Sequence, residues 1–239
     1  TDDSKFLAEL GLVRWIGDDF APATIHLRPN KALYVVPAYP LPDMQLFGAQ
    51  NEVDILKKTF GAVAVDPADS DTVIEILSDP DSFDLLHFAC HGAANQDQIW
   101  DAGVLMTGEI ASNGDYVEDP LDAEVVGLDA NMRRPDHTRP MVFLNACQAG
   151  KAGASLSGTG GMARAFIMKG AGLFVGTLWS IGDDTSLTFA EVFYEEMKRG
   201  RTVTQASQAA RAASREADEP TWLAYTVYGH PYARLQIDK

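Results

Sequence analysis

Residues 83–92 read "FDLLHFACHG". From Phe83 to Cys90 the run is near-continuously apolar, the pattern of a strand buried on both faces of a parallel sheet. It then ends on Cys90, His91 and Gly92. A core strand has no need of an imidazole at its tip, and a glycine there suits a point where something approaches the backbone closely. Further along, "MVFLNACQAG" (141–150) repeats the form: an apolar run, then Cys147, then glycine.

Outward from these two strands, the chain alternates strand-like and helical patterns. "ALYVVPA" (32–38) is a strand leaving into a loop broken by Pro37, Pro40 and Pro42. "LFGAQNEVDILKKTFG" (46–61) sets Val53, Leu56 and Phe60 on one helical face and stops at Gly61. A short strand, "AVAVD", precedes "SDTVIEILSD", a helix expected to be opened by a capping Ser70 or Asp71. The middle, 93–139, is less regular. It holds a short hairpin arm "GVLMTGE", a short helix "DAEVVGL", and "DANMRRPDHTRP", expected to be an exposed loop carrying Arg133, Arg134 and Arg139.

After Cys147, "QAGKAGASLSGTGG" is small and glycine-rich and is expected to be mobile. Helix "GMARAFIMKGA", strand "GLFVGTLWSI", helices "DTSLTFAEVFYEEMKRG" and "TVTQASQAARAASREAD", and a final strand "WLAYTVYG" complete the chain. This is the alternation of a doubly wound α/β fold. No convincing linker divides it, so a single domain is expected over 1–239, with residues 1–30 left open as the tail of a preceding sensor region.

The chain has 239 residues, 46% of them hydrophobic, enough for a substantial core. A formal net charge of −15 would repel a phosphate backbone and argues against direct nucleic-acid binding. No apolar run reaches the roughly 18 residues needed to span a bilayer. The start, "TDDSKFLAEL", lacks the basic and apolar regions of a signal peptide, and it lacks an initiator Met. The two cysteines, Cys90 and Cys147, make no disulfide framework. A cytoplasmic protein with no membrane partner is expected.

In an open parallel sheet, ligands bind outside the carboxyl ends of the strands. If the two strands are neighbours, His91 and Cys147 meet there. A thiol is a nucleophile only as thiolate, and an imidazole can take its proton. The amides of Gly92 and Cys147 could then hold the oxyanion of a tetrahedral intermediate. Alone, a strand-end cysteine is ordinarily an inert core residue, and a lone histidine is ordinarily a satisfied polar one. The joint pattern is what favours chemistry. Other motifs are weaker. "GTGGMA" (158–163) fits a loose dinucleotide-loop pattern but follows no strand directly, and no GK[ST] follows a glycine loop. Strand alternation sets Cys90 on the opposite sheet face from His87, which argues against a metal site and leaves Cys90 to the core. No metal or cofactor is expected.

Five segments together carry a family resemblance: "HFACHG", "LNACQAG", "GMARAFIMKGAGLFVGTLWSIGD", "FAEVFYEEMKRG" and "PTWLAYTVYGHP". In this order the chain resembles a CHAT domain, a bacterial relative of caspases and separases among the caspase–hemoglobinase class of cysteine peptidases. In caspases, too, the histidine lies about 50 residues upstream of the cysteine. The resemblance implies a caspase-like three-layer αβα sandwich around a mostly parallel sheet of about six strands. It implies a cysteine endopeptidase, with Cys147 as nucleophile, His91 as general acid/base, and the Gly92 and Cys147 amides as oxyanion donors. There is no "QACRG", so aspartate specificity does not carry over. In separases an aspartate after a similar Leu-Trp strand end lines the pocket for the residue before the scissile bond. In "LWSIGDD" that position is Asp183, a carboxylate suited to arginine and less well to lysine. The alternative for Asp183 or Asp184 is to cap the following helix.

The resemblance further implies a protein substrate cleaved at a basic residue and a fused or associated sensor. Such domains act as gated effectors in bacterial antiviral defence or cell-death systems, including CRISPR-linked ones. The alternative is an inactive caspase-fold signalling or scaffold module. The loop 148–160 is the expected gate, and the basic loop 133–139 is a candidate autocleavage site.

Overall fold

Short apolar segments bounded by turn residues set the architecture. The computed structural model describes residues 6–16, 20–93, 103–147, 158–178, 182–215 and 220–238. In chain order its strands are β1 (Thr24–Leu27), β2 (Ala32–Val35), β3 (Val63–Ala64), β4 (Leu85–Ala93), β5 (Gly103–Leu105) and β6 (Glu109–Ile110). There follow β7 (Tyr116–Val117), β8 (Pro120–Asp122), β9 (Met141–Cys147), β10 (Leu173–Thr177), β11 (Tyr225–Gly229) and β12 (Arg234–Ile237). The helices are α1 (Ala49–Phe60), α2 (Ser70–Ser78), α3 (Ala123–Asp129), α4 (Gly158–Lys169), α5 (Asp183–Lys198) and α6 (Val203–Arg215).

The main sheet runs β11-β10-β9-β4-β2-β3, parallel throughout except for antiparallel β11 at one edge. Strand alternation divides its side chains between two helical layers. Leu86, Phe88, Cys90, Val142 and Leu144 face the layer of α2, α3 and α4. Leu85, Met141 and Phe143 face the layer of α1, α5 and α6, where Phe189 stacks on Tyr225 at 3.6 Å between ring centroids. Fully burying one such side chain stabilises by about 1.5–3 kcal/mol. The result is a three-layer αβα sandwich, as the family resemblance implies, and it carries the doubly wound alternation read from the sequence. Cys90 is completely buried in the α2–α4 layer.

Connectivity places the functional end. From β2 the chain passes through α1 to β3 on one side, then through α2 back across to β4 on the other. The strand order therefore reverses between β2 and β4, the usual place for a crevice at the strands' carboxyl ends.

Several local expectations need correction. β4 does not end where its apolar run ends at Cys90; it continues through His91 and Gly92 to Ala93, because β5 pairs antiparallel with Gly92 and Ala93. Helix α2 is capped by Asp69, not by Ser70 or Asp71: its carboxylate accepts the Thr72 amide at 2.7 Å. The 129–140 loop is not simply exposed, since the Arg134 side chain is only 6% accessible. It donates to the Phe83 and Pro80 carbonyls and pairs with Asp84 at 2.7 Å. Strands β1 and β12, which pair parallel with each other, escaped the pattern because each is only four residues long. Among the described residues, no helix is long and apolar enough to cross a membrane.

Candidate active site

The parallel pairing of β4 with β9 runs from Leu85↔Met141 to His91↔Cys147. His91 and Cys147 are thus direct register partners on adjacent strands, whose axes lie roughly 4.8 Å apart. Both stand at the carboxyl end of the sheet, and His91 falls on the strand alternation that leads toward the α1/α5 layer. Gly92, half-buried, is the next position on β4 and pairs with Val104 of β5.

The loop after β2 holds the imidazole. His91 Nε2 lies 2.7 Å from the Met44 carbonyl oxygen. A carbonyl only accepts, so Nε2 carries a proton and donates it to Met44. The Tyr39 ring sits 4.8 Å from the His91 ring, centroid to centroid. The His91 amide donates to the Tyr39 hydroxyl oxygen at 2.9 Å, and that hydroxyl donates to the Leu105 carbonyl at 2.8 Å. Burial, then the neighbouring Cys90, push the Tyr39 phenol well above its ordinary range, so it stays a neutral donor. His91 is only 6% exposed, and these contacts come from a loop that the sequence presents merely as proline-rich.

Below this level, on the same sheet face, lies a buried polar network. Glu52 of α1, 5% exposed, receives His87 Nε2 and the Asn145 amide on one oxygen, Oε2, each at 2.8 Å. His87 Nδ1 meets the Tyr194 hydroxyl at 2.8 Å, and the Tyr225 hydroxyl donates to Asn145 Oδ1 at 2.8 Å. A pocket lined by Gly48, Ala49, Glu52, Ala89, Asn145 and Ser186, among others, opens beside it. Sequence reasoning missed Glu52, although an acid adjacent to Val53 on the apolar face of α1 was the available signal. The Met44 carbonyl gave no signal, since every residue has one.

Asp183 is the first residue of α5. The capping position belongs to Gly182, whose carbonyl accepts the Ser186 amide at 3.0 Å. Asp183 therefore stands one helical turn before Ser186, which lines the pocket. Residues 148–157, most of the expected gate, lie outside the described residues, as do 179–181. The described residues hold no cluster of three or more metal-ligating side chains.

The CHAT domain model matches residues 31–234. No curated protein sequence matches the chain significantly. Among solved structures, the fold is similar to the Arg-specific cysteine proteinase gingipain R, with a TM-score of 0.57 at 12% identity. That alignment covers 96% of this chain and 51% of the other, so the chain spans about half the length of that relative. The complex of the pro- and mature domains of Porphyromonas gingivalis RgpB gives 0.53 at 12% identity, covering 96% and 52%. The Saccharomyces cerevisiae separase–securin complex gives 0.51 at 13% identity, covering 91% of this chain and 13% of that one. With a family match over most of its length and this fold, the chain belongs to the CHAT domain family of caspase-like cysteine proteases.

Proposed function

We propose that the chain is a cysteine endopeptidase working through a His91–Cys147 dyad and cleaving after arginine, and less well after lysine. The observation that carries this reading is the register pairing of His91 with Cys147 at the carboxyl end of the sheet. With its Nε2 proton engaged by Met44, the imidazole offers Nδ1 as the base. It takes the Cys147 proton, and the thiolate adds to the peptide carbonyl to give a tetrahedral oxyanion. The Gly92 and Cys147 amides stabilise that oxyanion. The proton on His91 then passes to the leaving amine, the C–N bond breaks, and a thioester remains. Water, deprotonated by the same imidazole, hydrolyses the thioester and regenerates the thiol. The Met44 carbonyl acts as a positioning group that fixes the tautomer.

Support for a basic cleavage residue comes from Asp183, one turn from pocket-lining Ser186, and from the net charge of −15. The fold's likeness to an Arg-specific proteinase agrees. The family supports a protein substrate and a role as a gated effector of a bacterial defence or cell-death system, with sensing supplied by a fused or associated partner.

Fluorogenic peptides differing only in the residue before the scissile bond test the reading. Arg peptides should turn over best, Cys147→Ala should abolish turnover, and Asp183→Ala should chiefly hurt Arg substrates. Robust turnover of an Asp peptide with none of Arg, or activity surviving Cys147→Ala, would sink it.

A further inference from the structure

Arg211 of α6 is a buried cation without a counter-charge. Its side chain is 3% exposed, and among the described residues no carboxylate pairs with it. Arg28 and Arg134, by contrast, share Asp84. Burial, with repulsion from Arg14 added, lowers the Arg211 pKa to about 10, so it remains charged at neutral pH. On the same helix Ala206 and Ala210 belong to the apolar core, where an apolar side chain of similar volume avoids the cost of desolvating a charge. The guanidinium instead bridges three elements. Nη1 donates to the Ser207 hydroxyl and, at 3.3 Å, to the Ala8 carbonyl; Nη2 donates to the Tyr225 carbonyl at 3.1 Å. Nε, buried as well, has no acceptor.

The Ala8 carbonyl belongs to a strap, residues 6–16, that packs on α6 and runs alongside β11. Arg14 bridges Tyr228 in parallel, so the helical turn Leu7–Leu10 lies toward the start of β11. That start, Tyr225, is the register partner of Thr177 at the last position of β10. The turn therefore stands at the end of the sheet that carries His91 and Cys147. No residue of the turn is buried, and Phe6, Leu7 and Leu10 are 59%, 67% and 54% exposed. A segment that buries so little apolar surface opens locally at low cost. Gly11 seats the strap: its φ is +74°, and a Cβ there would come within 2.6 Å of the Thr204 carbonyl oxygen.

Tyr225 joins the strap to the site. Its carbonyl is held by Arg211, its ring stacks on Phe189 of α5, and its hydroxyl donates to Asn145 Oδ1 at 2.8 Å. Asn145 precedes Cys147 by two positions on β9, and its amide donates to Glu52 of α1. We propose that Arg211 is a positioning residue, which locks the strap to Tyr225 and thereby holds Asn145 and the Cys147 end of β9 in working geometry. Release of the strap then loosens the site while the sheet stays folded. For its effect on turnover this rests on the peptidase reading above.

The test is a double-mutant cycle with Gly11→Val, which drives the strap off α6, and Arg211→Met, which keeps the volume and removes the bridge. Each should lower kcat by about 2- to 30-fold with KM unchanged, and the two together should do no more than either alone. Hydrogen exchange of the segment Met141–Cys147 needs no turnover and should quicken alike in all three variants. An unchanged kcat in either single variant, losses that multiply, or unchanged exchange in β9 overturns the proposal. A wild-type protein that cleaves no peptide removes the peptidase reading, and the coupling is then decided by exchange alone. Should Gly11→Val not fold, Arg14→Pro replaces it in the cycle, because it deletes the amide that ties the strap to the Val227 carbonyl.

Discussion

Tyr39 joins His91, the proposed base, to the rest of the molecule through one hydroxyl. That oxygen accepts the His91 amide and donates its proton to the Leu105 carbonyl, both in buried surroundings. Tyr39→Phe keeps the ring against the imidazole and removes both bonds. It should cost about 1–3 kcal/mol of stability, because two backbone groups lose their partner. Turnover should fall further than the melting temperature alone explains, since His91 also loses an anchor. Urea unfolding alongside kcat measures both, and an unchanged kcat would deny Tyr39 a positioning role. At this scale the sequence is most legible where chemistry lies in the side chain: His91 and Cys147 stand out as a reactive pair on strands of identical form, and Gly92 as a small residue beside them. The Met44 carbonyl and the Tyr39 hydroxyl become visible only when the chain folds back, because their contribution is one of position.

Among the elements, the amino end of β4 carries the main electrostatic fastening. Asp84, fully buried, receives Arg28 through Nε and Nη2 at 3.0 and 2.9 Å, and Arg134 at 2.7 Å. The cluster ties β4 to the loop leading into β9 and so supports the register that pairs His91 with Cys147. Asp84→Ala leaves buried guanidinium charge uncompensated and should destabilise by about 3–5 kcal/mol. Burial opposes ionisation of Asp84, but the hydrogen bonds and charge of Arg28 and Arg134 prevail and hold its carboxyl below the usual aspartate range. A depressed carboxyl gives its full stabilisation above about pH 4 and loses it as the pH falls through the lower native value. The stability gap between wild type and Asp84→Ala should therefore shrink below about pH 4 in urea titrations; a gap independent of pH down to 2 would remove the ion cluster from the account. The strands β4 and β9 were readable because each is a long apolar run. The end of β4 was not, because its last residues are held by β5, a partner that arrives only after nine intervening positions of irregular composition.

Across the whole molecule, the sheet separates two ends with different tasks. His91 and Cys147, the proposed dyad, stand at the carboxyl ends of β4 and β9, whereas the loop 133–139 meets their amino ends, where the Met141 amide donates to the Asp84 carbonyl. Seven residues of β9 put roughly 20 Å between them. Self-cleavage within one molecule at that loop is out of reach, and the Arg134 side chain is already engaged. Intact-mass analysis of active protein should show no fragment ending at Arg134, and its appearance at a rate independent of protein concentration would contradict the geometry. The far edge of the sheet is covered as well: the Arg14 amide donates to the Val227 carbonyl and the Gly229 amide to the Arg14 carbonyl, each at 2.8 Å. This protects part of β11, the kind of edge that otherwise invites pairing with another chain. That packing was invisible in the sequence because it joins segments at opposite ends of the chain.

The dyad itself is tested most directly by covalent capture. A peptidyl-arginine acyloxymethyl ketone needs both a seated cationic side chain and an activated thiolate to react. Mass spectrometry of the labelled protein should find one adduct, on the segment carrying Cys147, and His91→Ala should suppress it while Cys90 stays unmodified. No adduct on Cys147, or one that forms equally fast without His91, would contradict the account.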